Sequence, residues 1–85
     1  MKRGIVQLGG KDIEARESSR PLKHDFGYCQ AGGPLVLSRG LNPHEQRRYF
    51  IHEAMHLQFW FLSEDVVDAA SDELNDALDK LEIEG

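Results

Sequence analysis

The stretch that decides the fold runs from residue 42 to residue 62 and reads NPHEQRRYFIHEAMHLQFWFL. It opens as a helix. Asn42 can cap the first turn, Pro43 takes the first helical position, and Glu45 stands three residues after the cap, where its carboxylate can reach back to the Asn42 backbone. Tyr49, Phe50, Ile51, Ala54, Met55, Leu57, Phe59 and Trp60 are spread round most of its surface, so it reads as a central, buried helix running to about Trp60.

The same helix carries the chemistry. His52 and His56 are four residues apart, one turn apart on one face, so two imidazole nitrogens can reach one ion. Glu53 follows about 100° round the helix, where a carboxylate can meet a metal-held water without binding the metal itself. This is the H-E-x-x-H arrangement, with two His ligands to zinc and Glu as general base. Leaving two histidines and a glutamate unpartnered in an apolar helix would be costly, and a metal removes that cost.

Downstream, Ser63 caps a second helix with Glu64 and Asp65 in its first turn, where the helix dipole favours acids. It runs to about Leu81 and lines up Val66, Val67, Ala70, Leu74, Ala77, Leu78 and Leu81. The connection is tight, so the two helices should form an antiparallel hairpin with Phe59-Trp60-Phe61-Leu62 at their junction, a cluster read as core more readily than as interface. Upstream, the chain reads as short strands: Gly4 to Leu8, a Gly9-Gly10 turn, then Asp12 to Arg16 as a possible partner. Ser18-Ser19-Arg20-Pro21 interrupts. Asp25 to Gln30, the Ala31-Gly32-Gly33 turn and Pro34 to Ser38 follow, the proline suiting an edge or first strand position. The fold expected is α+β in one domain spanning residues 1–85: a small N-terminal antiparallel sheet of hairpins, then the two-helix hairpin.

Zinc needs a third protein ligand and an open position for water. No histidine follows His56, so the acids of the second helix are the candidates. With the apolar stripe taken to face the first helix, Glu73 lies at the edge of that stripe and ranks first, with Asp76 second. Otherwise Glu73 would be a boundary residue paired with Arg48 or Lys80. His24, His44 and Cys29 are weaker ligand candidates.

Net charge is −5 and uneven. Residues 1–40 carry seven Lys/Arg against four Asp/Glu, and residues 41–85 carry three against eleven. The acidic half argues against nucleic acid as a partner, and the halves should attract each other within one fold. No apolar run is long enough for a membrane span, and Met1 to Val6 reads as a strand rather than a leader. A single cysteine fits a reducing, cytoplasmic setting.

His52-Glu53-x-x-His56 with Glu73 seventeen residues later resembles the gluzincin pattern of zinc metallopeptidases. With the approach through Leu35 to Ser38 and Phe50-Ile51, the segment from about residue 25 to 82 is similar to small phage- and prophage-encoded proteins related to SprT-like and ImmA/IrrE-like peptidase domains. The resemblance implies a minimal zincin-like fold, Zn2+ held by His52, His56 and Glu73, Glu53 as general base, and a peptide or protein substrate. The chain departs from such enzymes in lacking the larger subdomain that forms a substrate cleft. It also offers only Tyr28, Tyr49 or His24 to steady an oxyanion. An edge strand, Pro34 to Ser38, is expected to align the substrate. The competing expectation is a zinc-stapled binding or inhibitor protein, of phage type, acting on a host partner. Self-association into a homodimer is left open.

Overall fold

The Gly9-Gly10 pair starts the sheet. Both glycines hold positive φ, 62° and 77°, the left-handed conformation that a two-residue hairpin turn demands. That turn pairs β1 (Gly4–Leu8) antiparallel with β2 (Lys11–Glu17), Leu8 opposite Lys11. Two three-residue strands follow, β3 (Gly27–Cys29) and β4 (Leu35–Leu37). The computed structural model describes residues 3–23 and 26–81, so Asp25, the expected start of the third strand, and His24 lie outside the described residues.

The α+β arrangement holds, with a four-stranded N-terminal sheet followed by two helices. The sheet is mixed, however, rather than a run of hairpins. Its order is β1-β2-β4-β3, with β2 and β4 parallel and β3 and β4 antiparallel. The expected edge strand is therefore an inner one. Leu35, Val36 and Leu37 are all fully buried, since β4 is flanked on both sides. An unbroken apolar run suits such a position, whereas an edge strand would alternate. Pro34 precedes the ladder and removes no hydrogen bond from it.

α1 (Pro43–Gln58) begins as its sequence dictates. Asn42 accepts from the Glu45 amide at 2.8 Å, and the Glu45 carboxylate accepts from the Asn42 amide at 3.2 Å. It ends at Gln58, two residues short of Trp60. Leu35, Leu37, Ile13 and Ala54 form the core, with Phe50 and Leu57 packed against them, so α1 lies across the sheet. α2 (Glu64–Lys80), capped by Ser63, packs on α1 and on none of the described strands. None of the described helices is long and apolar enough to cross a membrane.

The α1–α2 seam is where the structure departs most from the sequence reading. α2 buries Val67, Ser71 and Asn75. Val66, Leu74 and Leu81 of the expected stripe are 49%, 50% and 69% exposed. The helix is turned by about 100° from the orientation its apolar residues suggest. The cause lies on α1, whose outward face carries cations and imidazoles. Arg47 pairs with Asp79 and Asn75, and Arg48 with Asp72. The Asn75 amide also donates to the His44 carbonyl at 3.3 Å. Burying those α1 groups against leucine would leave them unpaired. Hydrogen bonding to Arg48 holds the Asp72 carboxyl below the usual carboxylate range, and Arg47 does the same for Asp79. A depressed carboxyl stabilises the fold above its ordinary pKa, so these pairs hold at neutral pH and fail on acidification below about 4. The aromatic cluster is likewise not core: Phe59, Trp60 and Phe61 are exposed at the helix junction, Trp60 by 81%.

With so few apolar groups fully buried, each matters. Leu37→Ala should cost about 2–5 kcal/mol of stability in urea unfolding. A loss below about 1 kcal/mol would mean that β4 is not the centre of the core.

Candidate metal centre

α1 sets His52 and His56 one above the other, as their spacing requires, with the two Nε2 atoms 3.2 Å apart. His52 is buried and His56 half-buried. The acid brought to them is Glu64, in the first turn of α2. Its carboxylate oxygens lie 2.9 Å from His52 Nε2 and 2.8 Å from His56 Nε2. Three ligand atoms thus converge on one point. Around a tetrahedral zinc with bonds of about 2.0–2.1 Å, neighbouring ligand atoms stand roughly 3.3 Å apart. The observed separations are a few tenths of an ångström tighter, so a small outward adjustment of side chains would admit the ion.

Behind His52, Asp68 completes the arrangement. Its carboxylate lies 3.1 Å from His52 Nδ1, which is buried and has no well-aligned hydrogen bond. The contact is one of proximity and charge, with the carboxylate off the N–H line. A proton on Nδ1 facing Asp68 leaves the Nε2 lone pair pointing at His56 and Glu64, the tautomer a metal needs. Lone pairs and a carboxylate meeting in a half-buried corner call for a positive charge among them, and the two-imidazole, one-carboxylate donor set suits zinc.

Glu73, expected as third ligand, stands outside this group and is exposed. Its ranking depended on which face of α2 meets α1, and the turn of the helix carries it to the outer side. Asp76, ranked second, also lies away from the two motif histidines. It falls in a separate exposed group with His44 and Asp79, where His44 Nδ1 already sits 2.7 Å from Asp79. A signal for Glu64 and Asp68 was nonetheless present in the sequence. Arg48, His52 and His56 form a column at four-residue spacing, and Glu64, Asp68 and Asp72 form another. Run antiparallel, they match pair by pair.

Glu53 leaves the helix on the sheet side. A Cβ built at Gly27 would lie 3.5 Å from Glu53 Cγ, and only 2.9 Å from the Val36 carbonyl oxygen. Glycine at this position therefore answers to the closeness of β4, with the Leu37 side chain also at 3.0 Å, and the glutamate lies over it at ordinary contact distance. The Cys29 thiol donates to the Glu53 backbone carbonyl at 3.6 Å. Burial, then hydrogen bonding to Glu53 and the charge of Glu53, push that thiol up to about 12. Gly27 and Cys29 both meet Glu53, so Tyr28 between them alternates to the opposite face of the sheet, away from α1. Tyr49 stacks on Phe26 at 4.6 Å between centroids with Arg48 over its ring, and His24 lies outside the described residues. A cleft of about 430 Å3 opens beside His56, lined by Leu8, Ile13, Cys29, Leu57 and Trp60 among others.

Comparison with protein-family models, with curated proteins and with solved structures gives no match. What the centre can do is therefore read from its own geometry.

Two outcomes follow. In zinc titrations against a competing chelator, Glu64→Ala should weaken binding about a hundredfold or more and Asp68→Asn about 10–100-fold, while Glu73→Ala leaves it unchanged. A Glu73→Ala loss equal to that of Glu64→Ala would restore the sequence-based ranking. Separately, a thiolate-seeking disulfide reagent at about pH 8 should modify native Cys29 at least a hundredfold more slowly than the urea-unfolded chain, because a raised pKa leaves little thiolate. Glu53→Gln removes the neighbouring charge and should speed the native reaction.

Proposed function

We propose that this chain is a zinc-dependent metallopeptidase-like protein, with His52, His56 and Glu64 as ligands and Glu53 as the general base. The observation that carries the reading is the convergence of His52 Nε2, His56 Nε2 and the Glu64 carboxylate, with Glu53 next to His52 and turned toward the edge strand β3. Zinc bound there would supply Lewis acidity, which lowers the pKa of water toward neutrality and polarises a carbonyl.

The protein's own groups do the rest. Asp68 holds the His52 ring with Nε2 free of a proton. Glu53 accepts a proton from the attacking water at its carboxylate and passes it to the departing amine. The open backbone edge nearest Glu53 is β3, in place of the inner strand β4 expected from the sequence. An extended peptide pairing with Gly27–Cys29 would lie beside the general base. The cleft next to His56 gives an apolar side chain a place to sit.

A second reading is favoured by the seam itself: ligands from both helices would make zinc a staple holding α2 to α1, in a protein that binds rather than cuts. Glu53→Gln separates the two. Against a pool of fluorogenic peptides, the zinc-loaded native chain should show turnover that falls by about 10²–10⁴ in the variant, with zinc content unchanged. Zinc-loaded native chain without turnover would leave the staple, and equal turnover in both proteins would remove Glu53 from the mechanism.

A further inference from the structure

The apolar stripe that α2 does not use against α1 has its own logic. Val66, Ala70, Leu74, Ala77 and Leu81 fall within about 80° of one another on the helix. Val66, Leu74 and Leu81 are about half or more exposed, and among the described helices and strands α2 packs on α1 alone. The order of these residues is close to symmetric. Reversed about a point between residues 73 and 74, Val66 falls on Leu81, Ala70 on Ala77, and Leu74 nearly on itself. A two-fold interface requires this property, since residue i must meet j while j meets i. The spacing from Ala70 to Leu81 is four, three, four, the rhythm of a helix-pairing seam. Alanine opposite alanine lets two helices come close between the larger side chains.

We infer that the occupant is a second copy of this chain, its α2 antiparallel to the first across this stripe. Charge selects that orientation. Lys80 is the one cation on α2, which also carries seven acids. An antiparallel copy brings each Lys80 within about a turn of Asp65 of the other copy. It also sets the acidic N-terminal turn of each helix beside the basic C-terminal end of its neighbour. A parallel pair would align all seven acids with their own images. The buried seam with α1 lies about 100° round from the stripe, so both contacts fit on one helix and the dimer builds a four-helix layer. The metal ligands point into the α1 seam, so this surface is independent of the zinc reading.

The test is sedimentation equilibrium of the intact chain, joined to a register-specific cross-link. At about 100 μM the native protein should run at twice its 9.7 kDa mass. Leu74→Glu, which places a charge at the two-fold axis in both copies, should raise the dissociation constant a hundredfold or more with an unchanged far-UV spectrum. In a Cys29→Ser background, Leu74→Cys should oxidise to a disulfide dimer, while Asp76→Cys, off the stripe and near His44 of α1, should not. A native monomer at that concentration, a Leu74→Glu dimer, or equal cross-linking at both positions would each overturn the proposal.

Discussion

The structure depends on one helix having two incompatible faces. Toward the sheet, α1 offers Phe50, Ala54 and Leu57 to Leu35, Leu37 and Ile13. Toward α2 it offers Arg47, Arg48, His52 and His56. The first face makes an ordinary apolar core. The second can be covered only by a helix that brings acids, because a guanidinium or imidazole pressed against leucine would lose its water and gain no partner. α2 therefore docks by charge. It buries Val67 as its apolar anchor and fills the rest of the contact with Ser71 and Asn75.

The candidate metal centre follows from that polar seam. Once Glu64, Asp68 and Asp72 run antiparallel to His56, His52 and Arg48, each position along the seam receives one acid from α2. Two of the three positions meet imidazole instead of guanidinium. There the acid can share a cation with the rings, whereas at Arg48 the cation is already part of the protein. In the proposed centre the carboxylate behind His52 and the carboxylate between the two rings would have different tasks, one favouring a tautomer and the other completing the ligand set. Glu53, turned away from the seam, stays next to an open strand edge.

Much of this was legible in the sequence. Asn42, Pro43 and Glu45 announce the start of α1, Ser63 announces α2, and Gly9-Gly10 announces the first hairpin, since each of these is a local matter of backbone groups and their nearest partners. The pairing of His52 with His56 is equally local. What was not read correctly is long-range. Strand neighbours depend on the whole sheet, and the unbroken run Leu35-Val36-Leu37 was the sign of an inner strand that Pro34 obscured. The rotation of α2 set its apolar stripe against its acidic column. Periodicity favours the stripe, but the partner surface decides, and that surface is cationic. Glu73 and Asp76 rank as ligands on the stripe alone, and Glu64 enters only once the cationic face of α1 is taken into account. The exposed Phe59-Trp60-Phe61 cluster shows the same limit, because side-chain type does not say whether a neighbour exists to cover it.

The proposed function rests on zinc held by nitrogen and oxygen from two helices. X-ray absorption at the zinc edge, on chain purified without added metal and assayed for zinc content, reads this directly. The prediction is about one zinc per chain, with nitrogen and oxygen neighbours at about 2.0–2.1 Å, two imidazole signatures, and loss of the signal in Glu64→Ala. A zinc-free protein that takes up none on titration would contradict the account, as would a sulfur neighbour at about 2.3 Å, which would assign the metal to Cys29.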